Sequence, residues 1–355
     1  MKTISINGKF LGQELNGVHR TAALFSEALR KAAPPEIAMR LAIPPRSSGA
    51  FTPTIPTWPA AGQYERGQLW EQLTLPVVTR DDLLLNFCNL GPLNHPCSVV
   101  MIHDMQTSLV PKDYSIKQKL GYKLLLPQIG RHSARILTVS EFSRQSLIDY
   151  GIADADKIVT VLNGGDHILS TPAEGGVIDA FGLADRPFAL TIGSSKSYKN
   201  ISMLLKVFSD PAMADMTLVV AGGPPARRYL GHAGRKPDNV IFTGFVSDGD
   251  LRGMFEQATV FLFPSLTEGF GLPPVEAMHC GCPVITTRCG AIPEVCGTAV
   301  DFADPNDPDD WVAAIARMRE ADYRAGRIAA GHEQARQYTW QRSGAALWNA
   351  IRDLA

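Results

Sequence analysis

The sequence predicts two open α/β domains built on parallel sheets, and three observations carry that expectation. Short apolar runs rich in β-branched residues alternate with helical patterns along the whole chain. The 355 residues exceed what one hydrophobic core ordinarily organises. A stretch of small, turn-forming residues, STPAEGGVID (170–179), separates two such series.

The first series offers strands at TISIN (3–7), IAMRLAI (37–43), DLLLNFC (82–88), VVMIHD (99–104), RILTVS (135–140) and IVTVLN (158–163). Helical patterns fall at 18–32, 66–79, 116–132 and 141–150. The second series repeats the theme with FALTIG (188–193), TLVVAGG (217–223), VIFTGF (240–245), VFLFPS (260–265) and PVITT (283–287). Continuous apolar strands alternating with helices imply sheets covered on both faces, the Rossmann-like arrangement. The expected division is 1–168, then 169–338, with a terminal helix over 339–355 packing on the second domain or across the junction. Such sheets bind ligands at the carboxyl ends of their strands, so two domains facing each other there would enclose a substrate.

Composition removes several classes of function. Lys+Arg at 34 nearly balances Asp+Glu at 35, so no global polycation attracts nucleic acid. No run of 18 apolar residues suits a transmembrane helix, and the opening MKTISINGKF lacks the apolar core of a signal peptide. The expected location is cytoplasmic, in solution or peripheral on the inner face of the cytoplasmic membrane. Cys88 and Cys97 stand apart from Cys280, Cys282, Cys289 and Cys296, whose C-x-C-x6-C-x6-C spacing does not suit a zinc site. They read as small thiols in a reducing compartment.

The densest chemical signal is FPSLTEGFGLPPVEAMHCGCPVI (263–285). A strand ends, a turn with Gly269 and Gly271 follows, and a helix starts near Leu272 with Pro273 in its first turn. Free N–H groups and the positive helix end suit a phosphate or sugar oxygen there. Glu268 precedes the turn and Glu276 lies one turn into the helix. A carboxylate accepting vicinal hydroxyls makes charge-assisted bonds of about 1.5–3 kcal/mol each. Lys199 follows strand FALTIG by a short polar loop, where an ammonium can neutralise an anionic group.

The Glu-x7-Glu spacing within EGFGLPPVEAM resembles the signature of retaining glycosyltransferases of family four. The resemblance spans nearly the whole chain, through NGKFLGQELNGVHRTAALFSEAL (7–29), IHDMQTSLVPKDYS (102–115), LTVSEFSRQSLIDYGI (137–152), LNGGDH (162–167), IGSSKSYKNISMLLKVF (192–208), GFVSDGDLRGMFEQATVFLFPS (244–265) and PEVCGTAVDFADPNDP (293–308). It implies the GT-B fold, with 1–168 as the acceptor domain and 169–338 as the domain that binds a nucleotide-sugar donor. Residue by residue, it implies that Glu276 binds the donor ribose, that Glu268 sits near the transferred sugar, and that Gly269, Phe270, Gly271 and Leu272 line the sugar and diphosphate pocket by their backbone. Phe245 and Val246 would border the base, and His103 would contact the donor sugar.

Two departures stand out. Tyr198 precedes Lys199 where the family usually has arginine, and Ser194 follows Gly193 where many relatives carry an arginine. Lys196 is the nearby candidate to replace the missing cation. In the first domain, Gly17 opens a helix and lets the backbone approach a phosphate. His19, Arg20 and Asp104 are candidate acceptor contacts, with a plain helix-surface role as the alternative for His19 and Arg20. Asp154/Asp156, Asp248/Asp250 and Asp307/Asp309 form D-x-D strings, read here as helix caps rather than metal ligands. No metal and no cofactor beyond the nucleotide-sugar substrate is expected.

Residues 112–135 collect Lys112, Lys117, Lys119, Lys123, Arg131 and Arg135 against Asp113, interleaved with Tyr122 and Leu124 to Leu126. This is either a basic amphipathic helix for anionic lipid or a solvated face over the core. The combined expectation is a retaining, metal-independent hexosyltransferase in polysaccharide synthesis, moving mannose from GDP-mannose to a saccharide acceptor, lipid-linked if the basic helix meets a membrane. A hydrolysing nucleotide-sugar epimerase and a non-catalytic nucleotide-sugar-binding protein are the competing readings.

Overall fold

The computed structural model describes residues 3–12, 17–45, 47, 52–230 and 236–355. It divides into two compact units. The first comprises Met1–Gly164 together with Trp340–Ala355, and the second comprises Gly165–Thr339.

The first unit holds a seven-stranded sheet of order β3-β2-β1-β4-β5-β6-β7. Its strands are β1 (Ile4–Asn7), β2 (Met39–Ile43), β3 (Thr57–Pro59), β4 (Leu83–Asn86), β5 (Ser98–Met101), β6 (Arg135–Thr138) and β7 (Ile158–Thr160). The second holds a six-stranded sheet of order β10-β9-β8-β11-β12-β13. These are β8 (Phe188–Ile192), β9 (Thr217–Ala221), β10 (Val240–Gly244), β11 (Val260–Phe263), β12 (Val284–Thr286) and β13 (Asp301–Phe302). Every pairing of named strands is parallel.

Each run expected as a strand forms one. β3 and β13 were not expected, and both are sheet edges. β3 contains Pro59, and β13 is two residues long, so neither shows an apolar run. Side-chain ties secure β13 instead. Asp301 accepts from the Tyr323 hydroxyl (2.9 Å) and meets Arg317 (3.2 Å) and Arg327 (2.8 Å) from the helices that follow.

The buried strands pack against helices on apolar side chains. In the second unit, Leu204, Val207, Leu218, Val220, Leu262, Ile285, Trp311 and Ile315 share one cluster. In the first, Val100, Ile102, Ile129, Ile136, Leu147 and Ile158 share another. Each such side chain contributes about 1.5–3 kcal/mol on leaving water.

The helical pattern at 66–79 is not one helix. It breaks into Gly67–Leu69, a π-helical turn Trp70–Thr74 and Leu75–Val78. The Trp70 indole N–H donates to Ala60 O at 2.8 Å, which fixes the widened turn on the sheet.

The division falls between Gly164 and Gly165, where the sequence placed it near 168. The terminal helix Trp340–Ile351 belongs to the first unit, lying along the helix Gly17–Ala32. Trp340 meets Phe25 edge-on at 5.0 Å between ring centroids. Arg135 bonds to the Ala350 carbonyl and forms an ion pair with Asp353 at 2.8 Å. Gly344 makes the approach feasible, because a Cβ there would stand 2.3 Å from Ala28 O. Gly344→Val is therefore expected to push the two helices apart and cost about 1–3 kcal/mol. Urea unfolding checks this, and an unchanged midpoint would contradict it.

Candidate active site

At the carboxyl edge of the second sheet, β11 gives way to the turn that carries Glu268. Gly271 takes φ +93°, a conformation closed to most side chains, and a Cβ there would lie 2.3 Å from Ile292 Cδ1. The helix Leu272–His279 starts on Pro273 and Pro274 without a capping side chain. Glu268, Gly269, Phe270 and Gly271 are buried, while Leu272 is half-buried. The Glu268 carbonyl accepts from Ala291 N (3.0 Å), and Gly290 fits beneath it only because it lacks a Cβ, which would sit 2.3 Å from Glu268 O.

The side chains expected from separate segments meet here. Lys199 Nζ lies 2.6 Å from Glu268 Oε1. It also stands 5.1 Å from the Phe263 ring centroid and 5.4 Å from that of Tyr198. Tyr198, which stands where arginine is usual, is buried, and its carbonyl accepts from Leu266 N at 2.7 Å. It supports the lysine and the turn. Ser194 Oγ accepts from Lys196 N at 3.2 Å, folding the loop after β8 back on itself.

Glu276 has a partner that sequence reasoning missed. His167 Nε2 lies 3.0 Å from Glu276 Oε1, and both side chains are nearly buried. Gly165 makes room, since a Cβ there would meet Val275 Cγ1 at 2.5 Å. The sign lay within LNGGDH, but nothing in that string points to a glutamate more than a hundred residues on. Phe245 follows Gly244 at φ +72° and is 94% exposed, with Val246 half-buried beside it.

In the first unit, Gly17 begins its helix, and among the described residues no atom lies within 4 Å of where its Cβ would stand; the loop before it, 13–16, lies outside the described residues. His19 lines a cavity with Asn7, Lys9 and Glu71, whereas Arg20 is half-buried on the same helix. His103 and Asp104, adjacent at a strand end, turn to separate partners. Asp104 Oδ1 accepts from Gln106 N (3.0 Å), while His103 N donates to Asn89 Oδ1 (2.7 Å). His103 Nε2 lies 2.8 Å from Phe87 O. A carbonyl only accepts, so Nε2 carries the proton.

The D-x-D strings divide. Asp307 caps the helix Pro308–Met318, accepting from Asp309 N at 3.0 Å. Ser247, not either aspartate, caps Asp248–Gln257, while Asp250 accepts from Val177 N and the Ser247 hydroxyl. Asp154 makes no side-chain cap, which corrects the expectation there. The six cysteines are free thiols. Burial pushes Cys289 up to about 11 and Cys88, Cys280 and Cys296 up to about 12, and it also raises Cys282, so they stay protonated.

The basic segment is rearranged from its sequence reading. Tyr122 and Leu125 pack toward the core, Leu126 is buried, and Arg135 belongs to β6 and Asp353. The helix Ile116–His132 instead exposes Ile116 (79%), Leu120 (55%) and Leu124 (60%), spaced one turn apart. Lys112, Lys117 and Lys123 are exposed alongside, with Lys119 half-buried. Among the described residues no helix is long and apolar enough to cross a membrane.

Two doubly wound units of this kind define the GT-B fold, which solved glycosyltransferases share. Residues 179–333 match the model described as glycosyl transferases group 1, and the chain belongs to that family. It is 34% identical over 267 residues to the O-antigen chain mannosyltransferase B of Escherichia coli, covering 72% of this chain and 70% of that protein. It is 32% identical over 205 residues to the serotype-specific mannosyltransferase WbdA of Escherichia coli, covering 53% of this chain but 25% of that longer protein. Among solved structures, Anabaena HepE in complex with UDP-glucose shares the fold with a TM-score of 0.76 at 18% identity, covering 100% of both chains.

Burial lowers the His103 pKa below its usual 6.5, against a smaller opposing effect of its bond to Phe87. The unfolded chain then takes up a proton first as pH falls. Stability is expected to be full above about pH 6.5 and to drop below it, until the folded imidazole itself protonates. Urea midpoints between pH 5 and 7 check this, and the slope is expected to shrink in His103→Gln.

Proposed function

We propose that the enzyme transfers mannose from GDP-mannose to a saccharide acceptor with retention of anomeric configuration, in the assembly of a cell-surface polysaccharide. The observation that carries this reading is the Lys199–Glu268 pair at 2.6 Å, on a glycine turn that leads into a helix. The mannosyltransferase relatives support the sugar, and the O-antigen chain named for the first of them supports the setting.

In this reading the diphosphate docks at the start of the helix Leu272–His279, and Lys199 neutralises charge as it leaves. Glu276 accepts the ribose hydroxyls, with His167 holding its carboxylate in place. The Lys199 ammonium already engages Glu268, which disfavours that carboxylate as a covalent nucleophile. The acceptor oxygen then bonds to the anomeric carbon on the face that the diphosphate vacates. The carbon–oxygen bond to the diphosphate breaks, and the acceptor proton passes to a departing phosphate oxygen. No metal is needed, so chelation by EDTA is expected to leave the rate unchanged.

Calorimetric titration with GDP and UDP tests the donor. GDP is expected to bind more tightly, and Glu276→Ala to weaken it by roughly tenfold or more, as loss of charge-assisted bonds predicts. Preference for UDP would overturn the donor assignment, and failure to bind any nucleoside diphosphate would overturn the transferase reading.

The acceptor is proposed to be lipid-linked, met at the inner face of the cytoplasmic membrane by the stripe Ile116, Leu120 and Leu124 with its flanking lysines. The protein is expected to sediment with phosphatidylglycerol vesicles and not with phosphatidylcholine alone, and Leu120→Glu/Leu124→Glu to abolish sedimentation. Equal binding to both vesicle types, or by the variant, would refute the surface.

A further inference from the structure

We infer that Tyr198 is a positioning residue for the departing diphosphate. Its ring, with that of Phe263, holds the Lys199 ammonium in place without occupying any of its N–H groups. This rests on the transferase reading and adds to it the residue that sets the grip of the site on the phosphate next to the sugar.

Lys199 closes the short turn Ser197–Lys199, and both of its neighbours in the chain are anchored. Before it, Tyr198 is buried, and its carbonyl ties the loop after β8 to Leu266 N after β11 at 2.7 Å. After it, Asn200 takes φ +54°, a left-handed conformation that residues other than glycine seldom adopt. Two bonds hold it there, from Asn200 N to Ser197 O (3.0 Å) and from Asn200 Nδ2 to Pro305 O (3.0 Å). The backbone under the lysine is therefore fixed, and what remains to be held is its flexible stem.

The ammonium ends among three groups. Glu268 Oε1 accepts from it at 2.6 Å, the Phe263 ring centroid stands at 5.1 Å and the Tyr198 centroid at 5.4 Å. A cation within about 6 Å of an aromatic centroid is drawn to the ring face. Both rings are buried, so they form walls rather than mobile partners. Among the described residues Glu268 is the one acceptor that Lys199 meets. The Cys289 thiol lies in the field of both and stays protonated, so it adds no charge.

An ammonium carries three N–H donors. A carbonyl or a second carboxylate would hold it by accepting one of them, whereas a ring face attracts the charge as a whole. With one N–H on Glu268, two remain for the oxygens of a diphosphate. Glu276 is assigned to the ribose and Glu268 to the transferred sugar, so a lysine on Glu268 stands at the sugar-bearing phosphate. Arginine at position 198 would set a like charge beside Lys199 and compete for the same oxygens. Tyrosine there fixes the lysine instead, and a donor fixed beforehand needs no reorganisation as charge grows on the leaving oxygen.

Calorimetry on the full chain with GDP, GMP, UDP and UMP tests this, because the monophosphates lack the phosphate assigned to Lys199. For the preferred base, the wild type is expected to bind the diphosphate roughly tenfold or more tighter than the monophosphate. Tyr198→Leu removes the ring and is expected to weaken the diphosphate by roughly fivefold while leaving the monophosphate unchanged. Tyr198→Phe keeps the ring and is expected to match the wild type. In a Lys199→Met background, Tyr198→Leu is expected to change nothing further, since the ring acts through the lysine. Should Tyr198→Leu unfold, Phe263→Leu opens the other wall and carries the same expectation. Equal loss of monophosphate and diphosphate would mark Tyr198 as structural, and loss in Tyr198→Phe would assign the effect to its hydroxyl; either overturns the inference. So does a wild type that does not prefer the diphosphate, or a Tyr198→Leu effect that persists without Lys199. Diphosphate binding that depends on Glu276 but not on Tyr198 overturns the inference and upholds the transferase reading. Failure to bind any of the four nucleotides overturns both.

Discussion

A strand can be followed by a parallel neighbour only after the chain has climbed back along the outside of the sheet, and the chemistry of both units begins with that restriction. Because every pairing of named strands is parallel, each turn leaving a strand's carboxyl end emerges on the same edge. The second unit thus gathers Gly193–Ser194 after β8, Gly222–Gly223 after β9, Gly244–Phe245 after β10 and the Glu268 turn after β11. The first unit gathers Asn7 and Phe87 by the same logic. The strands beneath need only be apolar and compact, which leaves the loops free to carry polar groups.

Buried carboxylates at these edges arrive already paired. Glu268 is met by a lysine from the loop after β8, Glu276 by a histidine from the segment that opens the second unit, and Glu71 by a lysine after β1. Leaving any of the three ionised and alone would cost several kcal/mol. A polyhydroxylated ligand can join such a pair without breaking it, since a hydroxyl donates to the carboxylate and accepts from an N–H of its partner. Backbone packing enforces the geometry, as Gly271 and Gly290 show by having no room for a methyl group.

What was legible in the sequence follows from what is local. Apolar strands declare themselves by composition, and the turn at Gly269–Gly271 by its glycines and prolines, so the sheets and the Glu268 turn could be read directly. Lys199 could be placed beside a strand end but not beside Glu268, because their meeting depends on β8 and β11 being neighbours. His167 on Glu276 and Lys9 on Glu71 likewise join distant segments and leave no periodic trace. The basic helix shows the converse error. Its leucines were visible, but which of them face outward depended on the core that Tyr122, Leu125 and Leu126 join. The terminal helix was recognised while its place on Phe25 and Ala28 was not, since the contacts of Trp340 and Gly344 that assign it join segments more than three hundred residues apart.

That placement makes the second unit an insertion within the first. The chain leaves the first unit after Gly164 and returns at Trp340. Domains commonly fold in the order in which they leave the ribosome. Here the order is inverted for completion: the second unit can close while the first still exposes the faces of Phe25 and Ala28 that await Trp340 and Gly344. The half of the enzyme made first is therefore finished last, and for most of its synthesis it presents an apolar groove on the helix Gly17–Ala32 that a chaperone could shield.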